Sequence, residues 1–476
     1  LGPWTDEEFP LATTSRGPLY AFDRALDYEL QAPIYFVVEA IWREANPSLL
    51  WARIPSLLCT VGLFFAFRRI GRQIAPQSDP LAFATLATLN PFVVFAAFEI
   101  RLYAMALLLG GVMWILFDAG FASGRSARAR AGFTVVTIAA VYVQYFLAFA
   151  LVGFACALVV RRDRAAIVRF FVFCIPIVLA TVPLAAWARH QVSGYETQGP
   201  TLTFLLRHSS LHPWIDFIFP YERDWDVVRW PRTAYDALVA VAIAALLLAR
   251  PRLSRTDWSW IVCALAIEIA YLALLVGLRL QLDDRHYVAL YVPLAAAVYV
   301  LARSAIASGR SQYVGVFGLS AALTIAVLFT RYRHLAQPGD WIRVGAYLRE
   351  AAKPGDAIVV YAADAAPALA RQYRGPVPIV PFPSTPSTRA YAADEFVVHS
   401  TEQAVAALAA LHAYTHLWFV SDVRCRSDET SYGCLFVGPA IVRRFTVLRE
   451  RDFYETSVKE LSAIDRRRSG KESAQP

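Results

Sequence analysis

"LNPFVVFAAFEIRLYAMALLL", residues 89–109, is an apolar run broken by Glu99-Ile100-Arg101. It sits in a longer apolar stretch, 81–118, that exceeds the roughly 20 residues one bilayer span needs. A single helix would leave charges in hydrocarbon, at roughly 3 kcal/mol for a residue such as arginine on insertion scales. A hairpin turning at Glu99–Arg101 brings both charges to a membrane surface, and the chain is then polytopic. Composition agrees. Of 476 residues, 57% are hydrophobic and 18% charged, whereas a soluble domain carries about 25% charged residues.

Further apolar runs of spanning length lie at 49–67, 168–187, 233–249, 258–277, 286–302 and 313–330. The run 131–160 would measure about 45 Å as one helix, too long for one span and short for two. Arg125, Arg128 and Arg130 precede it; Arg161, Arg162 and Arg164 follow it. Cationic clusters prefer the cytoplasmic side, so the run reads as two short helices turning near Gln144. About ten spans result, over residues 48–331. The clusters Arg68/Arg69/Arg72, Arg250/Arg252/Arg255 and Arg303/Arg310 then fall on the same side. Residues 1–47, the Glu99–Arg101 turn, the loop 188–232 and everything after about 332 fall on the other. A chain that begins at Leu1 and reaches an acidic cluster at once implies an upstream helix that carries it across.

Net charge is +8, almost wholly from arginine, since lysine occurs only as Lys353, Lys459 and Lys471. The arginines cluster between apolar runs, a topological bias rather than a nucleic-acid face, and no nucleic-acid partner is expected.

From 332 the pattern changes. "DWIRVGAYLREA" (340–351) reads as an amphipathic helix and "PGDAIVVYAA" (354–363) as a turn and a buried strand. "TEQAVAALAALHAY" (401–414) reads as a second helix N-capped by Thr401. "THLWFVSD" (415–422) reads as a second strand, and two late strands follow within 441–461. Residues 332–465 are expected to form a small α/β domain on the extracytoplasmic side, followed by a disordered tail, 466–476. Cys59, Cys156, Cys174 and Cys263 read as core residues; Cys425 and Cys434, in a polar loop, are expected to pair in an oxidising compartment.

Polar residues that could carry chemistry gather on the expected outer side: Asp6, Glu7 and Glu8; Asp27 and Glu29; Glu99 and Arg101; His208 and His212; Asp283, Asp284 and Arg285. Arginines beside carboxylates suit phosphate recognition next to proton transfer. Each has a plainer reading: a solvated acid or helix cap for Asp6, surface for Glu7 and Glu8, snorkelling for Arg101 and Arg285. For Tyr35 and Tyr103 the plainer reading is a place in the interfacial aromatic belt. No cofactor follows from these residues. A divalent metal stays open, because His208 and His212 have helical ligand spacing, although most such pairs hold none. The aromatic loop "HPWIDFIFPYERDWDVVRW" (212–230) reads as a membrane-surface segment.

Four motifs in order carry a resemblance: Asp6-Glu7, Pro33-Ile34-Tyr35, Arg53-Ile54-Pro55-Ser56 and Arg101-Leu102-Tyr103, with a weaker echo in "DDRHYVALYVPLA" (283–295). Residues 4–120 resemble the N-terminal half of the GT-C glycosyltransferases. The nearest branch is the protein-mannosyltransferase and aminoarabinose-transferase type, family 39-like. "DWIRVGAYLREAAKPGDAIVV" (340–360) also looks like the start of the soluble domain in bacterial members. The resemblance implies a GT-C-like fold in a bacterial plasma membrane and an inverting transferase. The donor would be a polyprenyl-phosphate-linked sugar and the acceptor hydroxyl would belong to a lipid, glycan or protein. It implies Asp6 as catalytic carboxylate supported by Glu7. Arg101, Tyr103, Arg285, Tyr35, Glu29 and Gln31 would face substrate. Where relatives often carry His or Glu two residues before the proline, this chain has Gln31. Two rivals are a flippase for a lipid-linked saccharide and a non-catalytic membrane scaffold or sensor; neither explains the acidic pair followed by ordered motifs.

Overall fold

Apolar runs bounded by arginine become helices bounded by arginine. The computed structural model describes residues 3–74, 80–194, 253–278, 284–305, 325, 339–387, 391–392, 395–421, 425 and 433–464. The expected spans at 233–249 and 313–330 (Ile325 apart), the loop beyond 194 with His208 and His212, Asp283 and the tail after 465 lie outside these.

In chain order the helices are α1 (Thr5–Thr13), α2 (Pro18–Asp27), α3 (Ile34–Glu44), α4 (Leu49–Ile74), α5 (Pro80–Thr88), α6 (Pro91–Phe98) and α7 (Tyr103–Phe117). They continue with α8 (Ala127–Val143), α9 (Phe149–Arg161), α10 (Arg164–Gly194), α11 (Arg255–Leu278) and α12 (Val288–Ala305). The chain divides into two compact units. The helical one holds Thr13–Leu26 and Leu30–Arg331; the other holds Leu1–Ala12, Asp27–Glu29 and Tyr332–Pro476.

Among the described residues four helices are long and apolar enough to cross a membrane, or five if the bent pair α5–α6 is one span. The protein is a polytopic helical membrane protein. Val168, Phe171, Val172, Ile175, Val178, Leu179 and Val182 of α10 are each more than half exposed, an apolar face suited to lipid. The break at Glu99–Leu102 is where the sequence puts it, but Glu99 is sealed at 0% exposure, rather than lying at a surface, and Arg101 is half-buried. The turn is held from α4, whose Ser56 hydroxyl donates to the Glu99 carbonyl at 2.6 Å.

The run 131–160 turns back at Gln144, an extended residue (φ −151°, ψ 116°) between α8 and the 3-10 turn Tyr145–Ala148. Its two ends meet, with Arg125 Nη2 3.9 Å from Asp163 Oδ2. α10 then runs parallel to α8, joined by Thr134 to the Phe173 carbonyl (3.3 Å) and Tyr142 to the Ala180 carbonyl (2.9 Å). α9 packs on α11 at Gly153, where a Cβ would stand 2.8 Å from the Cys263 carbonyl oxygen.

At this basic end Arg161, its side chain 11% exposed, is held among three helices. It donates to Ser259 Oγ (3.0 Å) and Ser123 Oγ (3.4 Å), lies 4.0 Å from Asp118 Oδ1 and covers the Trp260 ring at 4.6 Å. Trp260 stacks on Trp114 at 3.8 Å. A buried guanidinium is tolerable only with such partners. At the other end Tyr271 donates to the His286 carbonyl (2.9 Å), and Phe146 lies against both residues' rings.

The second unit is built on a five-stranded sheet of β1 (Ala357–Tyr361), β2 (Ile379–Pro381), β3 (His416–Ser421), β4 (Phe445–Phe453) and β5 (Thr456–Ala463), in the order β2-β1-β3-β5-β4. β1 is parallel to β2 and β3; β5 is antiparallel to β3 and β4. Its helices are α13 (Trp341–Ala351), α14 (Ala366–Gln372), α15 (Thr401–Ala409) and α16 (Cys434–Val442). α13 buries Trp341, Val344, Gly345 and Leu348, the i, i+3, i+4, i+7 face the sequence shows. The cap of α15 is Ser400, not Thr401: Ser400 Oγ accepts from Gln403 N at 3.1 Å, and Thr401 is the first helical residue. A serine one position earlier has the extended backbone a cap needs. Cys425 and Cys434 are disulfide-bonded as expected. Beside them Gly433 has φ +63° and meets the Val398 carbonyl where any Cβ would sit.

The hairpin predicts that single cysteines at Ser126 and Asp163 react with an impermeant thiol reagent from the same membrane side. Each substitution removes a helix-capping acceptor, worth about 1 kcal/mol, so both variants should fold. Labelling from opposite sides would make 131–160 a single span.

Candidate active site

The acidic triplet lies in the first turn of α1, where a helix N-terminus favours negative charge. The three carboxylates have different surroundings. Glu7 is fully buried, and its Oε2 accepts from Trp4 N at 3.4 Å, closing the turn. Glu8 is 3% exposed and its Oε1 accepts from Arg371 Nε at 2.5 Å. The expectation that Glu8 is a surface acid is therefore corrected: an arginine from α14 takes it out of solvent. Asp6 is partly exposed.

Phe9 packs on Tyr28 (ring centroids 6.0 Å), Tyr28 on Tyr391 (6.3 Å) and Tyr391 on Phe396 (5.0 Å). Tyr391 N donates to the Asp27 carbonyl at 3.1 Å. The expected first loop, 1–47, is thus divided, with its acidic helix and Asp27–Glu29 belonging to the α/β unit.

In the helical unit Leu30, at φ +52°, reverses the chain, and Gln31 N closes on the Ala25 carbonyl at 2.9 Å. Glu29 and Gln31 are both partly buried. Tyr35 on α3 and Tyr103 on α7 are each 2% exposed, so neither belongs to an interfacial belt. The Ser56–Glu99 bond ties the end of the Arg53–Ser56 motif to the turn that leads into Arg101-Leu102-Tyr103. Arg285 lies on the 3-10 turn Asp284–His286, partly exposed. It and Arg101, which precedes α7, stand at the end of the helical unit opposite Asp118 and Arg161. The structure brings Asp6, Glu7, Glu8 and Glu29 into one unit, and Gln31, Tyr35, Arg101, Tyr103 and Arg285 into the other. Among the described residues no group of three or more His, Cys, Asp or Glu could hold a metal ion.

Sequence reasoning misses one residue. Glu39 lies on α3 one turn after Tyr35 and is 1% exposed, and neither carboxylate oxygen has a hydrogen-bond partner among the described residues. Burial pushes its carboxyl up to about 8, against the opposing pull of Arg43 one turn on. The one available signal is an acid inside the apolar string "IYFVVEAIW".

No family model and no curated protein matches the chain. Among solved structures it is similar to ArnT from Cupriavidus metallidurans bound to undecaprenyl phosphate, at 14% identity and TM-score 0.49, over 97% of this chain and 94% of that one. The apo state of that ArnT gives 16% identity and TM-score 0.42, over 97% and 93%. The arabinofuranosyltransferase AftD from Mycobacteria gives 15% and 0.44, over 98% of this chain but 38% of that one.

The raised Glu39 carboxyl has a consequence for stability. In the unfolded chain a glutamate ionises near pH 4.3; the folded protein holds its proton to about pH 8. The folded state therefore binds more protons between these values, and stability falls as pH rises across that window, levelling off above it. Glu39→Gln should match wild type near pH 4.5 and melt higher by at least about 4 °C at pH 8.5, taking roughly 2–4 °C per kcal/mol. A melting-temperature difference that is the same at both pH values would contradict the burial account.

Proposed function

We propose that the chain is an integral membrane glycosyltransferase of the GT-C kind, transferring a hexose or pentose from a polyprenyl-phosphate donor to an acceptor hydroxyl with inversion. The observation that carries the reading is the accessibility of α1. Of three carboxylates in its first turn, two are buried at 0% and 3% exposure, and Asp6 keeps partial access to solvent. The ordered motifs support the same assignment, and the Ser56–Glu99 bond anchors the turn before Arg101 to one of them.

Asp6 takes the proton of the acceptor hydroxyl as its oxygen bonds to the anomeric carbon. The bond from that carbon to the phosphate oxygen breaks, and polyprenyl phosphate leaves with the electron pair. Arg101 and Arg285 bind the departing phosphate, whose charge grows as the bond breaks. Glu7 supports the turn that carries Asp6, while Tyr35, Tyr103, Glu29 and Gln31 contribute to substrate binding. The donor is already activated, so no nucleotide motif is needed. Positive-inside bias puts the Asp118–Arg161 end in the bacterial cytoplasm and the α/β unit outside the plasma membrane. A disulfide at Cys425–Cys434 fits an oxidising compartment. The acceptor is a hydroxyl of a lipid, glycan or protein.

Asp6→Asn keeps shape and hydrogen bonding but cannot accept a proton. Transfer by the purified variant should fall by about 10²–10⁴-fold at unchanged protein level, since the side chain is partly exposed. Near-normal turnover of an intact Asp6→Asn protein would remove the carboxylate from the reaction.

A further inference from the structure

Glu8 cannot hold its charge by solvation. It is 3% exposed, and a buried carboxylate without a partner costs several kcal/mol. One partner is Arg371 Nε at 2.5 Å, from a side chain that is itself 37% exposed. The arginine belongs to α14, more than three hundred positions along the chain. α14 in turn is fixed against α13: a Cβ on Gly345 would lie 3.1 Å from the Gln372 backbone carbon, so the two helices are as close as their backbones allow. Gln372 is the residue after Arg371. The pair is backed by a second attachment, the Phe9–Tyr28–Tyr391–Phe396 ring series with buried Ala363 beneath it. As a helix by itself α1 is weak, and it depends on such attachments. It is nine residues long with Pro10 inside it, and isolated helices of that length are marginal in water.

We propose that Arg371 is a positioning residue: through Glu8 the α/β unit orients the helical turn that carries Asp6. This rests on the reading of Asp6 as general base. The α/β unit, to which α1 belongs, is then not an accessory domain but the support of the catalytic turn. A base displaced by about 1 Å loses roughly 10²-fold in rate without losing substrate affinity. Arg371 touches neither donor nor acceptor on this account, so its loss should fall on kcat, not on KM for the donor.

The test uses the full chain in lipid nanodiscs, with wild type, Arg371→Ala, Arg371→Lys and the reciprocal pair Glu8→Arg with Arg371→Glu. Two readouts are taken: hydrogen–deuterium exchange of residues 4–13 and steady-state transfer from polyprenyl-phosphate sugars. Arg371→Ala should speed exchange in 4–13 by about tenfold while β1 and β3 keep wild-type protection. Its kcat should fall by about 10–100-fold, with donor KM within about threefold of wild type. The reciprocal pair should recover most of both losses, and Arg371→Lys should lie between. Unchanged exchange in 4–13, or a loss of kcat that neither Lys nor the reciprocal pair relieves, overturns the proposal. Should Arg371→Ala not yield folded protein, Arg371→Lys and the reciprocal pair decide it alone. If wild type transfers no sugar from any donor, the glycosyltransferase reading fails, and the exchange data still decide whether Arg371 holds the helix.

Discussion

A guanidinium cannot stay in hydrocarbon without partners, and that constraint organises the helical unit. Arg161 shows it most plainly. To remain at the end of α9 it needs Asp118 and Ser123 from the end of α7, Ser259 from the start of α11 and the Trp260 ring beneath it. Meeting those needs forces three helix ends to one level, and the stacked Trp114–Trp260 pair fills the space below. The Arg125–Asp163 approach, an exposed pair, marks where the starts of α8 and α10 meet at the same face. With the arginine-rich ends gathered at one face, the turns at Glu99–Arg101, Gln144 and Asp284–His286 are driven to the other. Candidate phosphate-binding arginines therefore share an end for the same reason the structural ones do.

Charge compensation also governs the acidic helix. Three carboxylates in one turn repel each other, and the chain separates their environments: Glu7 turns onto the backbone, Glu8 onto Arg371, and Asp6 keeps partial access to solvent. The two buried acids raise the cost of moving the helix, because either one, pulled from its partner without reaching water, is an unpaired charge. A catalytic carboxylate needs that kind of support around it, since a base gains from fixed geometry and loses when it wanders.

Much of this is legible in the amino-acid sequence. Runs of apolar residues between arginines mark α4, α10, α11 and α12, because helix length and charge exclusion act locally. Gln144 falls at a turn because arginines on both flanks demand it. In the α/β unit, α13, β1, β3 and the β4–β5 hairpin follow from residue periodicity. Other features are hidden for physical reasons. β2 is three residues long and α14 seven, too short to show a period. The Glu8–Arg371 pair joins residues far apart in sequence, and no local pattern announces such a bond. Glu99 reads as a surface acid, and Glu39 shows only as one acid inside an apolar string, because composition cannot say which way a turn or a short helix faces. The Ser400 cap is one residue from the expected one, a difference that depends on backbone angles alone.

The central claim is that the chain breaks a sugar–phosphate bond and makes a glycosidic bond to an acceptor hydroxyl, and the most direct measurement follows both bonds at once. The purified protein in nanodiscs would be given a panel of polyprenyl-phosphate pentoses and hexoses labelled at the anomeric carbon, with a membrane extract as acceptor. The account predicts that free polyprenyl phosphate and a labelled product of inverted anomeric configuration appear in equal amounts for one donor class. Donor that crosses the bilayer with its sugar–phosphate bond intact, or that stays intact across the whole panel, would contradict it.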